Sequence, residues 1–313
     1  MKTFQKSLSI HSEDRDLLKY PNASKFAFEL PVEYKNVLAL RLTDISLPSL
    51  YTFSESKNNL TFSIQRYANT VPSTPIDILP EKITISPGNY VISQMVTELK
   101  AAIDKALGTN TIQVNFDNVR NTIVFGSDDI LSLSFFNQPI AQAASCKLQA
   151  AGCPIASHLG FNQTDINKSI SLTEYNASPY VNHVTFTPAI VCVLEAPYPY
   201  NLQGDPFIYM ELDLYNNIDE LTPYTIQNKG TSKHNLAFAK IPTRLFAVSE
   251  TVYVSKELYL SNVFYSDPPL ERVQKFQCKF RYHDGTLVDF GVSKFSFTIE
   301  ITMLIYPNYC PWD

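Results

Sequence analysis

No two of the five histidines, His11, His158, His183, His234 and His283, lie within five residues of each other, and no Cys-x-x-Cys pair exists. Recognisable metal sites usually carry ligand pairs at short spacing, so no metal is expected. The cysteines Cys146, Cys153, Cys192, Cys278 and Cys310 are odd in number and unpaired in spacing. They fit neither a disulfide framework nor a zinc site, and read as reduced thiols of a cytosolic product. The five Asn-x-Ser/Thr sequons then carry no glycan, because that modification needs a secreted chain. Cys153, in Ala-Gly-Cys-Pro, has no nucleophile signature beside it. There is no Gly-x-Ser-x-Gly elbow and no Gly-x-x-x-x-Gly-Lys loop, and nine glycines leave little material for a phosphate cradle. No nucleotide or other cofactor is implied.

No run of Lys and Arg is long enough to grip a phosphate backbone, and the net charge is -5, so direct nucleic-acid binding is not expected. No window holds eighteen consecutive apolar residues, and the opening MKTFQKSLSIHSEDRD reaches acidic residues at once. Neither a membrane span nor a signal peptide is expected.

What the chain does have is Phe and Tyr, 20 and 18 of them, with 20 prolines. That balance favours pleated, half-buried surfaces broken by turns. Residues 1–20 read as an N-terminal arm. Phe4, Leu8 and Ile10 share one face of a strand with Lys6, and a charged stretch, Ser12 to Asp16, follows. Phe26, Phe28 and Leu30 alternate with Lys25, Ala27 and Glu29 up to Pro31. Val37 to Pro48 predicts a second strand, with Leu38, Leu40 and Leu42 on one face. Leu60 to Ile64 predicts a third.

The Pro-rich stretch from Val71 to Pro80 reads as a linker. Beyond it, Ile92, Met95, Val96, Leu99, Ile103, Ala106 and Leu107 recur at helical spacing, with Ser93 as N-cap and Gly108 as stop. A hairpin follows, Thr111–Phe116 and Thr122–Phe125. Further strands are expected at Val184–Phe186, Ala189–Leu194, Pro206–Leu214, Phe238–Ile241 and Val248–Leu260. Near the end, Phe276, Cys278, Phe280 and Tyr282 alternate into Asp284-Gly285, a hairpin signal, and Phe295, Phe297, Ile299 and Ile301 line a returning strand.

The predicted fold is mainly β: a β-sandwich of jelly-roll or Greek-key type with an inserted small α+β unit. The predicted division is an arm at 1–20, the sandwich from 21–70 plus 173–313, and the insert at 81–172. Acidic pairs remain to be weighed for chemistry: Asp14 and Asp16 around Arg15, Asp128 with Asp129, and Asp219 with Glu220. Each reads better as a solvated turn or a local ion pair than as a glycosidase dyad. Tyr198, Tyr200 and Tyr209 fit core packing first, a protein interface second and a sugar platform third.

The local text also resembles a known family. Ser12, Asp14, Arg15, Asp16, then Tyr20-Pro21-Asn22, the Phe26/Phe28 strand, and Tyr34, Asn36, Val37 running through Leu42 to Pro48 are similar to the N-terminal segment of minor capsid proteins of large nucleocytoplasmic DNA viruses. Pro87-Gly-Asn-Tyr90 opening a helix and Leu159-Gly-Phe161 resemble the inserted unit of that group. Leu270-Glu-Arg272, Asp284-Gly285, Asp289-Phe290 and Phe295 to Glu300 resemble its terminal hairpin, with one departure at Val292-Ser293-Lys294.

The resemblance implies a non-enzymatic virion protein made in the host cytoplasm, which seats or bridges capsomers beneath the main shell. Its partners would be the major capsid protein and other minor capsid proteins, near an inner virion membrane but not spanning it. A vertex (penton) subunit and a carbohydrate-binding attachment protein stay open as alternatives. Residues expected at interfaces are Phe4, Leu8, Ile10, Asp14, Arg15, Asp16, Tyr198 and Tyr200.

Overall fold

The computed structural model describes residues 2–70, 73–77, 79–135, 154–161, 167–178, 183–221, 234–243, 252–255 and 263–305. The chain forms two compact units: unit 1, Met1–Leu50 with Asp205–Asp313, and unit 2, Tyr51–Gly204. Unit 1 opens with β1 (Lys2–His11) and β2 (Lys25–Leu47). Unit 2 carries β3 (Thr61–Tyr67), β4 (Glu81–Thr84), α1 (Ile92–Leu107), β5 (Gln113–Asp117), β6 (Thr122–Ser127), β7 (Ile130–Ser134), α2 (Pro154–Leu159), β8 (Asn167–Lys168), β9 (Ile170–Ser171), α3 (Leu172–Asn176) and β10 (Cys192–Glu195). Unit 1 resumes with β11 (Phe207–Leu212), β12 (Ile218–Leu221), β13 (His234–Ala237), β14 (Ala239–Pro242), β15 (Val252–Ser255), β16 (Phe264–Arg281) and β17 (Ser296–Ile305). The fold is mainly β, as its composition predicts.

In unit 1 the strands follow the order β1-β17-β2-β16-β11-β14, with β15 also on β2 and every pairing antiparallel. β2 is the spine. From Tyr34 on, its residues in the main core cluster are Tyr34, Val37, Leu40, Leu42, Ile45 and Leu47, with steps of three where strict alternation would give two, and Ala39 is buried outside that cluster. Register shifts toward β17 fall between Thr298 and Ile299 and between Thr302 and Met303. Each bulge inserts a residue, so the next side chain returns to the core face and the strand bends. Asn36, outside those two shifts, sits at φ 52°, a left-handed conformation that Asn tolerates better than most residues.

The first half of β2 pairs with β16, yet Phe26 meets Phe295, just before β17, and Phe28 meets Phe297 in β17, each at a ring separation of 6.4 Å. Those rings are not ladder neighbours, so they touch across a core. The sheet therefore folds over itself as a curled sandwich around one Phe-rich cluster.

The terminal hairpin needs correction. Asp284-Gly285 does turn the chain: Gly285 sits at φ 86°, and Tyr282 N donates to Thr286 O at 2.8 Å. The return is brief, through Val288 N to Phe280 O and the bridge from Arg281 to Leu287. β16 and β17 do not pair with each other; β2 lies between them. Val288 and Phe290 bury into the core at the crossing, and the Phe290 ring lies tilted, 4.3 Å from that of Phe295. Both alternating faces reach the same core from opposite sides of β2.

In unit 2, α1 buries Met95, Leu99 and Ile103 and ends at Gly108, φ 64°. Its N-cap is Val91, not Ser93: the Gln94 side chain accepts from Val91 N at 3.2 Å. The helix contributes to one core with Val114, Ile123 and Phe125 of the β5–β6 hairpin.

The unit boundaries differ from the sequence-based ones. β3 pairs with β4 and β7, so it belongs to the insert. The Pro-rich stretch is no free linker where it is described: Ile76 N donates to Arg66 O, and Asp77 takes the Arg66 guanidinium at 2.8 Å. β10 also pairs inside unit 2, on β6 and β9, which carries the insert to Gly204. The segment Val184–Phe186 is not a strand; Phe186 packs edge-on to Tyr175 instead. Of the expected strand Val248–Leu260, only β15 falls within the described residues.

Candidate functional site

β1 pairs with β17 along its whole length, from Lys2 opposite Ile305 to His11 opposite Ser296. The predicted arm is thus a strand of its own sheet. Burial rises along it: Phe4 is 37% exposed, Leu8 packs on the core and Ile10 is buried. Lys6 is half-buried, and its Nζ lies 5.5 Å over the ring of buried Tyr34.

The charged stretch after β1 is a stitched turn. Ser12 N donates to Phe295 O at 2.8 Å, and Phe295 N donates to Ser12 Oγ at 3.0 Å. Asp14 accepts from His11 N. Asp16 Oδ1 accepts from Leu18 N at 3.0 Å and Lys19 N at 3.2 Å. Between them, the Arg15 guanidinium donates to the carbonyls of Ser12, Tyr20 and Pro21. The Asp-Arg-Asp charges bind backbone groups that would otherwise lack partners, which is why this composition winds this turn. Glu13 turns outward to Lys294, whose hydrogen bond and charge hold its carboxyl below the usual range. The tip presents Leu17 and Leu18, the latter 98% exposed.

The turn, the end of β1 and the first half of β2 enclose a groove of about 470 Å³. Leu8, Ile10, Asp14, Arg15 and Asp16 all line it, so five of the eight residues singled out from sequence meet in one place. Phe26 and Phe28 add apolar lining, and Lys19, Glu29 and Lys275 add charge. Phe4 lies outside the lining.

Tyr198 and Tyr200 belong to unit 2 and do different things. Tyr198 is exposed, while Tyr200 packs on the unit 2 core and donates its amide to Asn121 O. Tyr198 N donates to Gly160 O at 3.1 Å. Gly160 sits at φ 81°, and a Cβ there would lie 2.0 Å from Tyr198 O. The glycine of Leu159-Gly-Phe161 is therefore demanded by backbone approach.

One polar cluster escaped the sequence reading. Arg281, 1% exposed, donates from Nη1 to Glu220 at 2.7 Å and to Tyr282 O at 3.2 Å, and from Nε to Glu211. Lys279 also reaches Glu211 at 3.1 Å, His283 reaches Glu220, and the guanidinium lies 5.1 Å from the Tyr209 ring. Burial, with the nearby Glu220 charge, pushes the Tyr209 hydroxyl up. Asp219 is exposed, while Glu220 is buried in an ion pair with Arg281, a partner distant in sequence. Glu220 ties β12 to β16. The alternation of Phe276 to Tyr282 marks Arg281 as outward, and nothing in that pattern shows that β12 reaches it.

Asp14 and Asp16 bind backbone as above. Burial and neighbouring Asp128 hold Asp129 above the usual range. Among the described residues no group of three His, Cys, Asp or Glu is placed to hold a metal ion, and no helix is long and apolar enough to cross a membrane. Cys192 and Cys278 are free and buried; Cys146, Cys153 and Cys310 lie outside the described residues.

Fold and site together define a mainly β protein with a curled sandwich, an inserted α+β unit, and a groove at the open margin of the sandwich sheet. No protein-family model matches the chain, and no curated protein matches it either. Among solved structures it is similar to the mavirus penton protein, at 8% identity and a TM-score of 0.46, over 96% of this chain and 99% of that one.

Proposed function

We propose that the chain is a structural subunit of a virus shell, a minor capsid protein that seats or bridges capsomers and has no catalytic role. The observation that carries this reading is the ordered resemblance of its N-terminal, central and C-terminal segments to minor capsid proteins of large nucleocytoplasmic DNA viruses. The quoted residues do structural work here: Asp14, Arg15 and Asp16 wind the turn after β1, and Gly160 admits the Tyr198 carbonyl.

A shell subunit works through strand edges and surfaces that neighbours can cover. Its partners in this reading are the major capsid protein and other minor capsid proteins, its place is the virion, and it is made in the host cytoplasm. The vertex subunit is the alternative within the same class. Solution mass separates the two: a stable pentamer supports the vertex reading and contradicts the bridging one. Strong, specific signals on a glycan array would instead favour an attachment protein.

A further inference from the structure

The first stretch of β2 keeps one edge without a strand. Among the described residues it pairs only with β16, from Lys25 opposite Lys279 to Glu29 opposite Lys275. Phe280 N donates to Ser24 O at 2.7 Å, so Phe26 and Phe28 also turn their amides and carbonyls toward β16. Lys25, Ala27 and Glu29 turn theirs to the open side, and Ala27 and Glu29 line the groove there. Pro31, the next residue on that side, has no N–H to offer. An extended chain can satisfy such a row of backbone groups.

The net charge of the groove selects no partner, because Asp14, Asp16 and Glu29 balance Arg15, Lys19 and Lys275. The order of residues along the edge does select one. Lys25-Phe-Ala-Phe-Glu29 carries opposite charges at equal distances from Ala27, and a Phe on each side of it. Two copies of an edge strand related by a two-fold axis run antiparallel, and each contact occurs twice. With the axis at Ala27, Lys25 faces Glu29 of the second copy and Phe26 faces Phe28. The residue that meets its own copy is then a small one. Registers centred on Lys25 or on Glu29 would set like charges opposite each other, which destabilises a strand pair. Both charged residues are exposed and, among the described residues, have no ion-pair partner in their own chain. Lys279, the neighbour opposite Lys25, is held by Glu211.

We propose that the Lys25–Glu29 edge of β2 pairs with the same edge of a second copy of this chain, antiparallel and centred on Ala27. Ala27 N then donates to Ala27 O of the other copy in both directions, and Lys25 and Glu29 exchange the flanking hydrogen bonds. This inference goes beyond the shell reading above and does not rest on it.

The test uses the full chain in sedimentation equilibrium, with amide hydrogen exchange to locate the contact. So short a contact belongs to the weak class of interfaces. The chain should dimerise as its concentration rises to about 100 μM, and the amides of Lys25, Ala27 and Glu29 should gain protection as it does. Lys25→Glu alone and Glu29→Lys alone each set like charges across the axis, and each should weaken the dimer about tenfold or more. Mixed together, the two variants should form a heterodimer about as tight as the parent dimer, because each supplies the charge that the other lacks. Circular dichroism checks that each variant folds, and recovery on mixing shows it again. A parent chain still monomeric at about 100 μM, single variants that dimerise like the parent, variants that stay apart when mixed, or a larger assembly that neither substitution affects would overturn the proposal. The shell reading survives such a failure, because the assay involves no particle. Absence of the chain from purified particles would remove the shell reading and leave the self-pairing edge standing.

Discussion

Arg281 shows how a residue's role depends on what covers it. It is buried with Glu220 and shares Glu211 with Lys279. Removing one partner of a buried pair leaves the other charge uncompensated. Arg281→Ala should therefore cost about 3–5 kcal/mol in urea unfolding; a loss below about 1 kcal/mol would mean that water already reaches the pair.

Asp117 offers a pH test. Burial alone would raise its pKa, but the amides of Arg120 and Val119 and the Arg120 guanidinium outweigh burial and hold it below the usual range. A folded pKa below the unfolded value of about 3.9 gives stability that is present above that value and fades as pH falls through the folded one. Asp117→Asn should flatten the acid limb of the stability curve below about pH 5, read by denaturant titrations across pH. An unchanged limb would show that other carboxylates set it. Burial also pushes the Cys278 thiol up, so it should resist thiol reagents in the native state and react only after unfolding.

Among the elements, α1 was the most legible in the sequence. Its stripe at 3.6-residue spacing and its glycine stop are local signals, and the buried residues are the expected ones. Leu99→Asp should cost several kcal/mol, because it sets a charge among apolar side chains; unchanged stability would contradict the packing. β2 was half legible. Alternation located Leu40 and Leu42, but each bulge resets the parity, and bulges depend on partners distant in sequence. The same limit hid the crossing between β16 and β17, since an Asp-Gly turn shows that the chain reverses and not which strand it then joins.

β1 was read as an arm for want of apolar residues, yet its backbone completes the edge of β17 and Ile10 reaches the core. Deleting residues 1–11 should expose the β17 edge, lower the melting temperature by several degrees and promote aggregation, as thermal scanning with light scattering would show. An unchanged melting point would mean that β1 serves another chain.

At the scale of the molecule, the two-unit plan was visible in texture: β alternation at both ends and a helical stripe in the middle. The boundaries were not, because β3 and β10 look like sandwich strands and find partners in the insert. Of the candidate surface, the residues around Ser12 to Asp16 were marked by sequence and do gather at one groove, whereas Tyr198 and Tyr200 belong to the other unit. Sequence marks such residues by type; only the fold decides which of them meet.

The central claim is a structural role in a virus shell. A cryo-electron-microscopy map of the intact particle tests it most directly. The account predicts shell density at a fixed, repeated position that accepts the curled sandwich and the α+β unit, in contact with capsomers. A resolved shell with no density for either unit, in particles whose protein inventory lacks the chain, would contradict it.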